Sequence, residues 1–257
     1  MDARLQASIN LKAILPLMED LVEGDPAAAA AVAGEDLVLQ FQVWGGPAAH
    51  LAIDRGRVQY GTGVHPRPDL ALFFVSAGHL NRLFAGETVL PGIRKGFRRL
   101  GFLTNGFPIL AGRLSYHLEG EGQSARGPEA DRFLVRLGLH AMLGGMVAVA
   151  ADDRSLAHVA AATSAGTLLV RVLPDGPQGS FTRRPEAGRF STTWQESVQR
   201  PNAVMEFESL EVARQIIDGE LGAVTAVGTG QIAVRGYLPL IEKANIFLDR
   251  FSRLMGR

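Results

Sequence analysis

Residues 67–87 read RPDLALFFVSAGHLNRLFAGE, and residues 200–220 read RPNAVMEFESLEVARQIIDGE. The two stretches align without a gap from Arg67 with Arg200 to Glu87 with Glu220, and six of the 21 positions are identical. The spacing between them exceeds the roughly 20–50 residues of a solenoid unit and matches the size of a small domain. The chain of 257 residues is therefore predicted to contain two related domains.

The residues around these stretches predict the same order of elements in both halves. Residues 5–23 have helical apolar spacing interrupted by Pro16, and Leu37 to Val43 alternates as a strand. Leu168 to Val172 is aligned with Leu37 to Phe41. Each half continues with two more strands, a fourth strand, a short helix, a last strand and a final helix. This order predicts an α+β fold, with a mostly antiparallel five-stranded sheet and helices packed on one face in each half.

Glycines and capping residues set the predicted boundaries. Ser76 is expected to cap the short helix and Gly86 to end it. The last strands are expected over residues 93–102 and 231–234. Residues 120–128 read GEGQSARGP, a composition typical of a linker. The predicted domains are therefore residues 1–122 and 129–257.

Composition excludes several classes of function. The chain has 26 basic and 26 acidic residues and no cysteine. Its zero net charge does not favour nucleic acid, and disulfides or thiolate metal sites are excluded. No secretion signal is seen at the N-terminus, so a cytoplasmic location is expected. The apolar run from Phe133 to Ala151 contains a charge and three glycines, which favours a buried helix over a transmembrane one.

No motif of catalysis is found. The segment Gly228-Thr229-Gly230 has the form of a dinucleotide-binding loop, but a strand follows it where that motif requires a helix. The six histidines lack the spacing of a metal site. The sequence therefore predicts a protein that is not an enzyme and has no cofactor or metal.

The second half carries a recognisable set of motifs. It contains Arg200-Pro201-Asn202, a predicted helix from Leu210 to Ile217, Gly219, and the segment GQIAVRG over residues 230–236. This order resembles the SCP2 (sterol carrier protein 2) sterol-transfer family. The first half resembles it through residues 67–86, but residues 96–101 lack the alternation of the last strand. The resemblance implies two SCP2-like domains in tandem.

The resemblance further implies non-enzymatic binding or transfer of an apolar ligand of the lipid, sterol or fatty-acyl type. The ligand would lie in a cavity between sheet and helices. Transient contact with a membrane is a separate expectation. The candidate lining residues are the inward apolar positions of the repeat: Leu39, Phe41, Leu72, Phe74, Leu83 and Phe84 in the first half, and Val170, Val172, Met205, Phe207, Ile216 and Ile217 in the second. The alternative is an interaction or scaffold protein whose two halves are solidly packed, because the same periodicity is typical of any core.

The two halves differ on the outer face of the fourth strand. Glu206 and Glu208 predict a solvent-exposed face in the second half, whereas Phe73 and Val75 occupy the aligned positions in the first. Exposed neighbouring apolar residues favour association. Phe73 and Val75 are therefore candidates for an interface, with the other half, with the long apolar helix or with a partner chain such as a second copy in a homodimer.

The strongest basic cluster lies on the predicted last strand of the first half and consists of Arg94, Lys95, Arg98 and Arg99. Such a cluster can contact phosphate headgroups. It can also protect an edge strand from aggregation. The pattern favours edge protection, since runs of charge usually face solvent.

Overall fold

The computed structural model describes residues 2–184, 189–194 and 198–255, except for the side chain of Arg98. It divides into two compact units, Met1–Gln123 and Ser124–Arg257. The division between the units lies within residues 120–128, the predicted linker.

The first unit begins with helices and then forms its sheet. A π-helical turn, Asn10–Ile14, and Pro16 separate the first two helices, as the interrupted periodicity predicts. The elements are α1 (Ala3–Ile9), α2 (Leu17–Gly24), α3 (Pro26–Val32), β1 (Asp36–Val43), β2 (Ala48–Asp54), β3 (Arg57–Thr62), β4 (Leu70–Phe74), α4 (Ala77–Phe84), β5 (Gly92–Lys95) and α5 (Phe107–Leu118).

The second unit repeats this order with a longer first helix. Its elements are α6 (Pro128–Asp152), α7 (Ala157–Ala162), β6 (Gly166–Val172), β7 (Gln178–Arg184), β8 (Arg189–Thr193), β9 (Ala203–Phe207), α8 (Leu210–Ile217), α9 (Ala223–Gly228), β10 (Ile232–Gly236) and α10 (Leu238–Leu254).

The two sheets have the same topology. Their strand orders are β3-β2-β1-β4-β5 and β8-β7-β6-β9-β10. One pair in each sheet is parallel, β1 with β4 and β6 with β9, and the other pairs are antiparallel. The predicted α+β class with two mostly antiparallel five-stranded sheets is confirmed.

The Arg-Pro-Asp and Arg-Pro-Asn motifs perform the same structural task in both units. A side-chain oxygen of Asp69 accepts the backbone N–H of Val38 at 2.8 Å, and Asn202 accepts that of Thr167 at 2.9 Å. The backbone N–H of Asp69 and of Asn202 in turn donates to the carbonyl of the same partner residue. The motif thus joins the fourth strand to the first strand of each sheet.

These contacts correct the predicted alignment of the first strand. Val38 corresponds to Thr167, whereas the sequence alignment placed Leu37 opposite Leu168. The equivalents of Leu39 and Phe41 are therefore Leu168 and Val170. The shift left every side chain on its predicted face, because it is an even number of positions and a strand alternates with a period of two.

The predicted last strand of the first unit is wrong beyond Lys95. Gly96 takes a positive φ of 95° and leads into a 3₁₀ turn, Phe97–Arg99, and then into a π-helical turn, Phe102–Gly106. In the second unit Gly236 ends β10 with a φ of 92°. A Cβ atom at either glycine would collide with the carbonyl oxygen of Asp69 or Asn202. Gly96 is therefore the counterpart of Gly236, and only glycine fits both the φ and the close approach.

The short helices have the predicted ends. Ser76 accepts the backbone N–H of His79, and Ser209 accepts that of Val212, so both serines are N-caps. Gly86 and Gly219 follow the helices with φ of 76° and 77°. These features place α4 and α8 at the same point of each unit.

The long helix α6 packs closely against two neighbours of its own unit. A Cβ atom at Gly138 would clash with Ile217, and one at Gly145 would clash with the ring of Phe251. Among the described residues, α6 alone is long and apolar enough to cross a membrane, but 72% of its most apolar window is buried inside the protein. The packing of its glycines is that of a core helix.

Candidate functional site

The sheet side of the predicted ligand site is buried in both units. Leu39, Phe41, Leu72 and Phe74 lie in the interior of the first unit. Val170, Val172 and Phe207 are buried in the second, and Met205 is half-buried. The inward direction of all these residues follows from strand alternation. That they line a ligand cavity stays a prediction.

Phe41 is the centre of an aromatic cluster in the first unit. Its ring centroid lies 6.5 Å from that of Phe74, 6.4 Å from Phe84 and 5.6 Å from Phe107. Phe107 opens α5, so the cluster joins sheet, short helix and final helix. The sequence pattern gave no sign that Phe107 contacts Phe41.

The second unit replaces this cluster with one built on other strands. Phe181 of β7 stacks on Phe190 of β8 at 5.5 Å and contacts Phe247 of α10 at 6.1 Å. The position equivalent to Phe41 is Val170. The aromatic side chains of the interior therefore lie at the centre of the sheet in the first unit and on the β7–β8 side of the sheet in the second.

The helix side of the predicted site is less enclosed than the sheet side. Leu83 and Phe84 on α4, and Ile216 and Ile217 on α8, are all half-buried. Ile217 rests on the backbone of α6 at Gly138. The short helices therefore cover the interior without sealing their own apolar faces from solvent.

The hydroxyl of Tyr60 is a polar group on the inward side of the first sheet. Tyr60 of β3 pairs with Leu51 of β2 and shares its inward face. Its hydroxyl is buried and, within the described parts of the chain, has no hydrogen-bond partner. Burial, with the nearby charge of Glu19 as a second cause, raises the pKa of Tyr60. Tyr60 can therefore offer a neutral hydroxyl to a polar group that enters the interior.

A buried ion pair, called here the Asp25 clamp, ties the N-terminal helices of the first unit to its last helix. Asp25 caps α3 by accepting the N–H of Ala28. Its other oxygen accepts from Arg113 at 2.6 Å and lies 2.8 Å from Nε2 of His117, both on α5. Burial alone would raise the pKa of Asp25, but the hydrogen bonds from Arg113 and His117 outweigh it and lower the pKa below its ordinary value.

The second unit contains the matching Asp153 clamp. Asp153 caps the turn after α6 by accepting from Ser155, and Arg250 of α10 donates to it at 2.8 Å. Here too burial opposes the charge, and the hydrogen bonds from Ser155 and Arg250 lower the pKa of Asp153. Sequence reasoning missed both clamps.

The outer face of the second sheet corrects one prediction. Glu206 is buried rather than solvent-exposed, because two arginines enclose it. Nε of Arg171 donates to it at 2.9 Å, and Arg235 lies 3.4 Å from its other oxygen. Glu208 is exposed, as expected. On this face the carboxylate of Glu206 is therefore buried in ion pairs, whereas Glu208 is exposed to solvent.

The outer face of the first sheet is partly covered by its own unit. Phe73 is half-buried, with Trp44 at 6.4 Å between ring centroids and the guanidinium carbon of Arg94 at 4.2 Å from its ring centre. Val75 is 63% exposed. The assignment of Phe73 and Val75 to an interface stays a prediction.

Neither a protein-family model nor a curated protein matches the sequence. Among solved structures, a sterol carrier protein domain 2 of Helicoverpa armigera matches with 20% identity and a TM-score of 0.33, covering 52% of this chain and 96% of its own. A conserved hypothetical protein of Thermus thermophilus, suggested to be a sterol carrier protein, matches with 17% identity and a TM-score of 0.31, covering 44% of this chain and 85% of its own.

A sterol carrier protein 2 like 2 of Aedes aegypti matches with 16% identity and a TM-score of 0.25, covering 44% of this chain and 98% of its own. The matched chains include sterol carrier proteins, the family that the sequence motifs resemble.

Proposed function

We propose that each unit binds an apolar ligand of the lipid, sterol or fatty-acyl class between its sheet and its helices, without catalysing a reaction. The supporting observation is that the last turn of each short helix is only half-buried on its inward side, at Leu83 and Phe84 and at Ile216 and Ile217. Inward apolar residues that stay within reach of solvent are expected at the entrance of an apolar site.

The segment after each short helix supports the same entrance. Leu90, between α4 and β5, is 89% exposed, and Val224, on α9 between α8 and β10, is 88% exposed. Phe97 and Tyr237, which follow the equivalent glycines 96 and 236, are also exposed. Large apolar side chains thus recur on the surface in the same region of two diverged copies. Contact with a nonpolar molecule would offset the cost of exposing them.

The test is to identify and count the ligand. Organic extraction of the purified chain followed by mass spectrometry should recover a lipid at up to two molecules per chain. A fluorescent fatty acid should bind to delipidated protein with the same limit. Failure to recover any lipid, together with no uptake of the fluorescent fatty acid, would refute the proposal and favour a solidly packed interaction protein.

Two substitutions separate the units. Leu83→Trp and Ile216→Trp add bulk at half-buried positions and should each remove one fatty-acid site, and the double variant should remove both. Val64→Trp is the matched control, since Val64 is an exposed apolar residue in the loop after β3. Equal binding by all four variants would show that the fatty acid does not enter beneath α4 and α8.

A further inference from the structure

We propose that the outer face of the first sheet docks on an anionic lipid bilayer. The docking surface, called here the Trp44 surface, consists of Trp44, Phe73, Val75, Arg94 and Lys95. This inference concerns the opposite side of the sheet from the proposed ligand site, so it can hold or fail without it.

The apolar part of the Trp44 surface is exposed at one corner of the sheet. Trp44 directly follows β1, is 72% exposed and contacts Phe73 of the neighbouring strand. Val75 follows Phe73 by two residues and shares its outer face.

The basic part of the surface is created by a bulge. Gly92 pairs with Phe73 and Lys95 pairs with Ala71, so β5 has one more residue than β4 between these pairs. The extra residue lets Arg94 lie over the Phe73 ring while Lys95 stands opposite the outward Ala71. Within the described residues neither Arg94 nor Lys95 forms an ion pair, and the nearest acids along the chain are engaged elsewhere, Asp69 by the N–H of Val38 and Glu87 by Arg82.

The same place in the second unit has different chemistry. Glu206 and Glu208 replace Phe73 and Val75, and Arg171 and Arg235 both form ion pairs with Glu206. The first unit therefore pairs exposed aromatic and aliphatic tips with uncompensated positive charge. Tryptophan is enriched at the interface of a bilayer, and basic residues are attracted to its anionic headgroups. A bilayer of anionic lipid supplies both contacts at once.

The two tryptophans of the chain, Trp44 and Trp194, make a direct test available. The Trp194→Phe variant leaves Trp44 as the only tryptophan, so excitation selective for tryptophan reports Trp44 alone. We expect this variant to bind vesicles that mix phosphatidylglycerol with phosphatidylcholine in a ratio of one to two, and not vesicles of phosphatidylcholine alone. Binding should shift Trp44 emission to the blue, and lipids with brominated acyl chains should quench it.

Charge substitutions give the quantitative test. Each basic residue near the surface contributes about fivefold to partitioning at low salt, so Arg94→Gln with Lys95→Gln should weaken binding to anionic vesicles about 25-fold. Arg235→Gln is the matched control, because Arg235 occupies the position of Lys95 in the second sheet and pairs with Glu206. It should change vesicle binding less than twofold.

Three results would overturn the proposal. They are no binding to anionic vesicles at low salt, binding without quenching of Trp44, and equal losses in the double variant and the Arg235→Gln control. Thermal unfolding of each variant, expected to match the parent, ensures that a loss of binding reports the surface rather than the fold.

Discussion

Replacing Arg113 by methionine tests the Asp25 clamp. The substitution keeps most of the apolar stem of the side chain and removes the guanidinium. Asp25 has only 2% of its side chain exposed, so it would keep a charge in a buried position with one cation fewer. Removing one partner of a buried pair costs about 3–5 kcal/mol.

Two features lower this figure for Asp25. Arg113 has 34% of its side chain exposed, so solvent screens part of its charge. The contact with His117 and the N–H of Ala28 also remains. We therefore expect Arg113→Met to lower the free energy of unfolding of the first unit by about 2 kcal/mol.

Urea denaturation followed by tryptophan fluorescence measures this loss in one unit at a time. In the Trp194→Phe background, Trp44 reports the first unit. The matched substitution is Arg250→Met in the Trp44→Phe background, where Trp194 reports the second unit. Arg250 is 39% exposed and Asp153 keeps its bonds from Ser155, so we expect a loss of about 1 kcal/mol. A loss from Arg113→Met no larger than that from Arg250→Met would refute the reasoning.

The pH dependence follows from the lowered pKa of Asp25. The stabilising effect of an Asp whose folded pKa is lowered is complete above the ordinary pKa of about 4 and is lost as the pH falls toward the folded value. The parent should therefore lose stability between about pH 4 and pH 2, and Arg113→Met should lose less over the same range. Identical acid profiles would show that Arg113 does not lower the pKa of Asp25.

Substitutions at three further features are tested by urea denaturation. Gly236→Ala should lower the free energy of unfolding by more than about 2 kcal/mol, because it adds a collision with the Asn202 carbonyl to the strain of a positive φ. Gly219→Ala, whose added Cβ meets no neighbour within 4 Å, should lower it by only about 1 kcal/mol. Equal losses would contradict the close approach at Gly236. Tyr60→Phe should leave stability unchanged or raise it by up to about 1 kcal/mol, because the hydroxyl has no partner among the described residues; a loss above about 1 kcal/mol would contradict this. Ser209→Ala should cost about 1 kcal/mol by removing the cap of α8, and an unchanged midpoint would argue against the cap.

Local pattern predicted most of the elements and the direction of their side chains. The gapless repeat located β4, α4, β9 and α8, and the capping serines set where both helices begin. The inward residues of the strands are buried because alternation follows from strand geometry in any context. The same alternation made the error in the first-strand alignment undetectable from the sequence. A shift by two residues, one full period of a strand, leaves the pattern of apolar residues unchanged.

The sequence by itself thus determined that the chain is a duplicated α+β domain and which faces of its strands turn inward. Only the tertiary structure decided how charges and distant segments meet. The sequence repeat did not predict the clamps, because their residues are not at equivalent spacings. The spacing from Asp25 to Asp153 differs from the spacing from Arg113 to Arg250, and neither equals that of the gapless stretches. The sequence pattern predicts that Glu206 lies on the surface. In the structure, Arg171 and Arg235 of two other strands enclose it. Burial of a charge depends on partners brought together by folding, and no local periodicity records them.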